Sequence, residues 1–543
     1  MLPIVALPGL LLAIWAAPPS ADLIVENARI HTLNPAQPEA RALAVANGRI
    51  LAAGDDLSSC AGPRTTRLDL HGATVLPGFI DAHAHLRALG ELLQTRDLRH
   101  VKTIAEIAAY VRQLAAARRP GEWIVGRNWD QTNWGGQFPS ARDLDAAAAR
   151  HPVFLGRVDG HAAWVNSLAL ELAHITPQTP DPPGGRIIHD AAGRPTGVLV
   201  DAAQGLVRSK IPPPTAEQVR RQLTLAAHEC SRLGLTAIHD AGISSLELDA
   251  YRDLIAAGNF PLRIYAMIRG PGPLWHDYLR RGPESGDSLT VRAIKLFADG
   301  ALGSRGAALF QPYSDDPGNT GLLMMSQAEI EKVAREALAH GFQVCTHAIG
   351  DRAVRTVLDA YAAALGGPND HRFRIEHAQI VSRPDFQKFK DFSILPSMQP
   401  THATSDMRWA EARLGPDRLA GAYAWRRFLD LGLPVAGGSD TPVEEPNPML
   451  GIYAAITRQD VAGNPPGGWM PEQRMTRAEA LASFTLSAAY AAFEEHVQGS
   501  LEPGKFADFI VLDRDIMSVP ELAIPQTRVR MTFLGGQLVN ELR

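Results

Sequence analysis

The sequence predicts an α/β protein built on a (β/α)8 barrel of the TIM type, with a small β-sandwich and a large insertion. The first observation is that eight short apolar runs, each ending in polar residues, alternate with helical stretches such as 328–339 and 353–365. This alternation is typical of a closed barrel, whereas an open doubly wound sheet would not naturally give eight strands. The predicted strands are 78–85, 236–240, 262–268, 291–299, 342–347, 373–377, 394–399 and 435–440.

The second observation is that both chain ends carry β runs that have no partner nearby in sequence. Residues 22–30 form one such run, and Asn47-Gly48 between two apolar runs is a strong hairpin signal. Matching runs occur near the C-terminus at 506–512 and 529–539. Because unpaired strands leave exposed edges, we expect the two ends to form one composite sandwich. The predicted domains are 22–76 plus 498–543 for this sandwich and 77–497 for the barrel.

The third observation is the long interval between His85 and Thr236, which far exceeds the length of a βα loop and its helix. We place an insertion within 86–230, and its Trp- and Gly-rich stretches predict a lid over the barrel mouth. Plain structural packing of these stretches is the alternative. They are 123–130, 159–167 and 182–185.

Composition limits the class of partner. The 543 residues include 53 Lys and Arg against 58 Asp and Glu, a formal net charge of −5, with no basic block. Nothing in this balance favours nucleic acid or an anionic membrane surface, so the expected partner is a small molecule. A homodimer is a further expectation. The three cysteines are too few and too far apart for a disulfide framework or a thiolate zinc site. Any metal must therefore be held by nitrogen and oxygen.

The first 21 residues differ from the rest of the chain. Residues 1–17 carry no charged side chain, contain the apolar run 10–17 and are followed by Pro18-Pro19-Ser20-Ala21. This pattern predicts a signal peptide over 1–21, a periplasmic or secreted protein and no stable membrane association after its removal. The segment lacks the usual Lys or Arg, so a retained anchor and a wrongly assigned start codon, with a cytoplasmic protein, are the alternatives.

Two histidines end the first predicted barrel strand. His83 and His85 are two residues apart, and because side chains alternate along a strand, they point the same way and can share a metal. Other barrel strands also end in metal-binding residue types, and such strand ends open onto one face of a barrel. His239 is predicted to be a core or supporting residue. The remaining candidate ligands are Lys295, His347, His377 and Asp440.

The residues around these positions resemble the metal-dependent amidohydrolase superfamily, in particular amidohydrolase family 3, a branch that includes N-substituted formamide deformylase. The resemblance covers nearly the whole chain after residue 21 and is carried by 295–305, 346–351, 374–377 and 499–508. It implies two divalent metal ions. His83 and His85 would hold one and His347 and His377 the other, Lys295 would bridge them as an N6-carboxylate, and Asp440 would complete the first site.

The chemistry of these side chains agrees with that implication. A lysine in a dry site has a lowered pKa and can take up CO2, which turns it into an anionic oxygen ligand. Two metals acidify a shared water and polarise the carbonyl that it attacks. Asp440 can take the proton of that metal-activated hydroxide and deliver it to a leaving amine. Zinc suits these nitrogen and oxygen ligands best, although iron, manganese and nickel are also compatible.

The expected function is therefore a metal-dependent hydrolase that cleaves a C–N amide-like bond of the N-acyl or N-formyl amine type. A deaminase with a single metal is one alternative, but Gly350 stands where such enzymes carry a glutamate three residues after His347. A lactone or ester hydrolase with the same centre is another alternative. A secreted binding protein with a metal site is the non-enzyme alternative, and Asp440 speaks against it because binding alone needs no proton shuttle.

Substrate contacts are the least constrained part of the prediction. Polar or aromatic residues near strand ends or within the insertion are the candidates. They are Trp129, His161, Asp299, Arg305 and Gln399.

Overall fold

The computed structural model describes residues 20–542. The predicted signal peptide falls on residues that lie almost entirely outside this range, so export stays a prediction. Within 20–542, no helix is both long enough and apolar enough to cross a bilayer.

The N-terminal part begins with seven short strands. Asn47 and Gly48 both have positive φ, 51° and 74°. They form the two-residue turn that the Asn-Gly signal predicts, between the strands Ala42–Ala46 and Arg49–Gly54. The strands β1 to β7 are Ala21–Glu26, Arg29–His31, Glu39–Ala40, Ala42–Ala46, Arg49–Gly54, Ala61–Asp69 and Thr74–Pro77.

The first barrel strand, β8 (Phe79–Ala84), is followed by a separate sheet before the barrel resumes. This five-stranded sheet has the order β12-β13-β11-β10-β9 and lies in sequence where the insertion is predicted. Its strands β9 to β13 are Ile124–Trp129, Val153–Arg157, Ala162–Val165, Gly185–His189 and Pro195–Asp201.

Seven more parallel strands complete the barrel in sequence order around its axis, so the predicted fold class is confirmed. The barrel closes where the last strand meets β8, because the Asp440 N–H donates to the His83 carbonyl (2.7 Å) and the His85 N–H to the Thr441 carbonyl (2.9 Å). The strands β14 to β20 are Leu235–Ile243, Arg263–Arg269, Leu289–Phe297, Gln343–Ala348, Arg374–His377, Leu395–Met398 and Ala436–Gly437.

Helices surround the barrel and pack on it through one large apolar core. The predicted helices 328–339 and 353–365 correspond to α9 and α10. The helices α1 to α18 are Leu86–Leu92, Ile104–Ala116, Arg142–Asp145, Ser167–Leu172, Gln204–Arg208, Ala216–Arg232, Ser245–Ala256, Pro273–Arg281, Gln327–Ala339, Asp351–Leu365, Asp385–Asp391, Pro400–Asp406, Ala410–Leu414, Pro416–Leu419, Trp425–Asp430, Pro448–Thr457, Arg477–Ser483 and Leu486–Ala491.

The C-terminal strands β21 (Phe509–Leu512), β22 (Val529–Leu534) and β23 (Gln537–Glu541) return to the N-terminal ones. β21 pairs antiparallel with β7, which gives a six-stranded sheet in the order β23-β22-β21-β7-β2-β3. A separate apolar core joins residues from both ends of the chain. The two ends therefore share a sheet and a core, as expected; the domain bounds themselves stay a prediction.

Phe509→Ala should lower the free energy of unfolding by about 3 to 5 kcal/mol, the range for truncating a buried Phe. Phe509 is fully buried and stacks on Phe533 with ring centroids 4.4 Å apart, at the junction of the two chain ends. Leu538→Ala, on the 48% exposed Leu538 of β23, is the matched control and should change stability by about 0.5 kcal/mol or less. Urea unfolding measures both. Equal midpoints for Phe509→Ala and the parent would show that the shared core does not hold the fold.

Candidate metal centre

Three predicted ligands meet where the barrel closes. His83 and His85 project from the end of β8, and Asp440 follows β20. The Nε2 atoms of His83 and His85 lie 3.5 Å and 3.1 Å from Asp440 Oδ1. Gly438 permits this close approach of the two strands, because a Cβ at that position would stand only 2.7 Å from the backbone nitrogen of His83. One ligand atom from each of the three residues lies within 4.8 Å of the others, so they could hold a cation together.

A second group shares Asp440 and includes a histidine that sequence reasoning missed. His377, His402 and Asp440 also bring ligand atoms within 4.8 Å of one another, and His402 Nε2 lies 3.7 Å from Asp440 Oδ2. His402 lies on α12, which begins just after barrel strand β19. Its closeness to a strand end was the available signal, but the predicted strand stops at Gln399.

The two other predicted ligands, Lys295 and His347, also reach the barrel interior. The imidazole of His347 lies 4.6 Å from that of His377, and its Nε2–H donates to the Gly300 carbonyl (3.3 Å), which leaves Nδ1 as the free ligand atom. Lys295 is fully buried. Burial lowers the pKa of Lys295 to about 8 despite the opposing charges of Glu376 and Asp440.

The nitrogen and oxygen atoms of the candidate metal centre suit divalent metal ions. Four buried polar atoms of the centre have no hydrogen-bond partner within residues 20–542, although such atoms are nearly always paired in proteins. All four are nitrogen or oxygen atoms, which suit a borderline or hard cation. They are His83 Nε2, His402 Nε2, Lys295 Nζ and Asp440 Oδ1.

Glu376 orients the first histidine. The Nδ1–H of His83 donates to Glu376 Oε2 (2.5 Å), and both side chains are fully buried. Burial alone would raise the pKa of Glu376, but its contact with His83 brings it down to about 2, so Glu376 is a carboxylate. The carboxylate thus fixes the tautomer in which His83 Nε2 is free, the usual arrangement behind a metal-bound imidazole.

Glu376→Gln should weaken metal binding by about 10- to 100-fold, because it removes the anion that holds the His83 tautomer. Chelator competition monitored by metal analysis measures the affinity. Glu229→Gln, which removes an exposed ion pair with Arg232 on α6, is the control and should leave metal affinity unchanged. A Glu376→Gln protein with parental affinity would mean that Glu376 does not position the ligand.

The predicted substrate residues take different places. His161 lines a cavity of about 90 Å³ beside His347, His402 and Asp440, and its Nδ1–H donates to Asp201 (2.7 Å). The other four do not line this cavity. Gln399 instead accepts the Nδ1–H of His377 (2.7 Å) and so orients a ligand.

The remaining three candidates are held by other contacts. Trp129 is fully buried among Trp134, Phe138 and Trp164, which corresponds to the packing alternative for this part of the insertion. Arg305 pairs with Asp315 (3.0 Å). Asp299 accepts three backbone N–H groups at 2.8 to 3.0 Å and lies 3.4 Å from His347 Nε2, so it supports the site from behind. Burial raises the pKa of Asp299 to about 7 against these hydrogen bonds.

Comparison with known proteins agrees with this geometry. A model of the amidohydrolase family matches residues 67–540. The chain is 30% identical over 539 residues to N-substituted formamide deformylase from Arthrobacter pascens, which covers 95% of this chain and 98% of the relative. It is 35% identical over 534 residues to Protein LONG AFTER FAR-RED 3 from Arabidopsis thaliana, 95% and 91% of the two chains.

A solved structure is similar over the same extent. The crystal structure of an uncharacterized metal-dependent hydrolase from Pyrococcus horikoshii OT3 matches with a TM-score of 0.75 and 29% sequence identity, covering 92% of this chain and 99% of that one. The match to the family model covers the barrel and the strands β7, β21 and β22 of the shared sheet. The chain therefore belongs to the amidohydrolase family and is a metal-dependent hydrolase.

Proposed function

We propose that the protein hydrolyses a C–N amide-like bond of the N-acyl or N-formyl amine type at a binuclear metal centre. The observation that carries this proposal is the position of Asp440, whose two oxygens face separate histidine groups. Among residues 20–542, its Oδ1 has no hydrogen-bond partner. A carboxylate so placed can exchange a proton with a water and with a leaving amine. The name of the Arthrobacter pascens relative also supports a C–N bond as the target.

The ligands divide into two sets around Asp440. His83, His85 and Asp440 would hold one cation, and His347 and His377 would hold the other together with Lys295 as an N6-carboxylate. His402 is a further donor to the second set, on the basis of its distance to Asp440. When bound, divalent metals, for which zinc is our proposal, supply the Lewis acidity that lowers the pKa of water and polarises a carbonyl.

Asp440 then performs the proton transfers. It accepts a proton as water attacks the carbonyl carbon and returns that proton to the nitrogen as the C–N bond breaks, so one carboxylate is first base and then acid. Glu376 and Gln399 hold the rings of His83 and His377 in place meanwhile. Residues of the insertion, including His161, close the narrow cavity and limit the water around the reacting groups.

The deaminase alternative is disfavoured at Gly350. A Cβ at this position would stand 2.0 Å from the Ala308 carbonyl oxygen, so the backbone leaves no space for the glutamate that a single-metal deaminase carries there. Lys295 would also have no role in such a centre.

A substrate panel tests the proposal. The metal-loaded protein should release free amine from N-formyl amines or N-acyl amino acids, and Asp440→Asn should suppress that release. Turnover confined to lactones or esters would contradict the C–N assignment. Release of ammonia from amino-heterocycles, with no amide turnover, would assign the centre to deamination instead.

A further inference from the structure

A second cavity reaches the metal centre from the side of His85. Its volume is about 420 Å³, against about 90 Å³ for the cavity at His347 and His402, and it falls in the usual range for ligand pockets. His85 and Phe297 form its inner wall. Phe297 lies directly over Lys295, whose Nζ is 3.9 Å from the ring centroid. A molecule in this cavity would therefore lie against the reacting centre.

The wall of this second cavity carries three arginines, Arg87, Arg127 and Arg269. Arg87 is compensated, because its guanidinium pairs with Glu247 at 2.8 Å. Within residues 20–542, neither Arg127 nor Arg269 has a carboxylate oxygen within the 4.0 Å of an ion pair. The half-buried Arg127 donates its Nε–H only to the neutral Asn128 amide (3.0 Å), and Arg269 lies 5.6 Å from the Phe297 centroid.

The acidic side chains of the same cavity wall already make contacts with other groups of the protein. Glu247 faces Arg87, and Asp240 is fully buried and accepts hydrogen bonds from the Tyr251 hydroxyl and from the Leu86 N–H (3.2 Å). Both oxygens of Asp240 are therefore occupied by hydrogen bonds. Within residues 20–542, neither the half-buried Arg127 nor the exposed Arg269 is paired with a carboxylate.

The electrostatic environment of Arg127 also favours an anion in the cavity. Burial lowers the pKa of Arg127 to about 10. The charges of Glu91 and Asp440 oppose this shift, and those of Arg208 and Arg99 add to it. A guanidinium with a lowered pKa is one whose charge is poorly stabilised, and an oxyanion in the cavity would supply what is missing. Arginine offers paired N–H groups in the geometry that a carboxylate accepts.

We propose that Arg127 and Arg269 form a subsite for a carboxylate of the substrate. The inference rests on the proposed amide hydrolysis and narrows it to anionic amides, with the reacting carbonyl between the two cavities and the carboxylate-bearing portion in the larger one. The difference in volume agrees with this division, since the smaller cavity suits a small group and the larger one a longer chain.

Binding of a simple carboxylate tests the subsite without turnover. In calorimetric titrations of the metal-loaded, full-length protein, hexanoate should bind at least about tenfold more tightly than hexanamide, the scale of one charge-assisted hydrogen bond. Arg127→Gln and Arg269→Gln should each remove most of that difference. Arg87→Gln, on the compensated arginine of the same wall, is the matched control and should keep it. Hexanoate affinity that is unchanged in both variants would place the anion elsewhere and overturn the proposal.

Turnover of a matched pair provides the second readout. N-acetylnorleucine should have a higher kcat/KM than N-acetylnorleucinamide, chiefly through KM. Arg127→Gln and Arg269→Gln should lose this preference, whereas Arg87→Gln should keep it. If bicarbonate displaces hexanoate but the two substrates react equally, the cavity serves bicarbonate and the substrate proposal is wrong. If no amide is hydrolysed, the proposed function fails while the hexanoate titration still decides whether the subsite exists.

Discussion

Asp440→Asn should lower kcat by about 10²- to 10⁴-fold, the usual contribution of a general acid or base, with metal content reduced only modestly. Asparagine keeps the shape of the side chain and one oxygen ligand but cannot accept the proton. The carboxylate lies 3.1 Å from His85 Nε2 and is the only group common to both ligand sets found within residues 20–542. The acid limb of the pH-rate profile should also disappear from the residual activity, since that limb would report ionisation of the water and Asp440 together.

Steady-state kinetics and metal analysis on the same preparations separate the possible causes. Asp277→Asn, an exposed aspartate paired with Arg280 and Arg281, serves as control and should retain parental kcat. A near-parental kcat in Asp440→Asn would place the proton shuttle on another residue. Loss of activity that follows only from loss of both metals would make Asp440 a ligand without a catalytic role.

Lys295→Ala should leave at most one metal ion per chain and lower kcat by at least about 10²-fold, the scale of removing one preorganised electrostatic contact. The fully buried amine has no hydrogen-bond partner in the described part of the chain. Its conversion to a carbamate would give anionic oxygens that two cations could share. Carbamate formation requires CO2. Metal uptake by the metal-free parent should therefore slow in buffer purged of CO2 and recover with added bicarbonate.

Mass spectrometric metal counting with activity assays checks this second effect. Lys388→Ala, which removes a partly exposed ion pair with Asp359, is the control and should keep both metals. A Lys295→Ala protein with two metals and full activity would show that the lysine is not the bridge.

The barrel strands could be predicted because they depend on short-range periodicity, and apolar runs bounded by polar residues located them. His83 at the end of β8 and His85 just after it lie two residues apart, and their rings lie close together, with centroids 5.4 Å apart. Site residues outside the strands cannot be predicted from this two-residue period. His402 enters the centre from a helix, where the two-residue period does not apply.

Roles that depend on side-chain direction were also beyond the sequence. Gln399 is adjacent to the site, as expected, but its contact with His377 depends on the way the chain turns from β19 into α12. Trp129 is a substrate-contact candidate from the sequence because it is a large aromatic residue in a Trp- and Gly-rich stretch of the insertion. Three aromatic neighbours from other parts of the insertion bury it. No pattern in the sequence around Trp129 predicts these contacts.

The hydrogen bonds that close the barrel have a consequence for how metal and fold depend on each other. The residues that close the cylinder, His83, His85 and Asp440, are the same residues that would hold one cation, and they come from distant parts of the chain. A bound ion would then act as a cross-link between the first and last barrel strands, and the ring would lose that link whenever the ion leaves. Stripping the metal should consequently raise amide hydrogen exchange at this seam before it does so between β14 and β15, two paired strands that carry no proposed ligand.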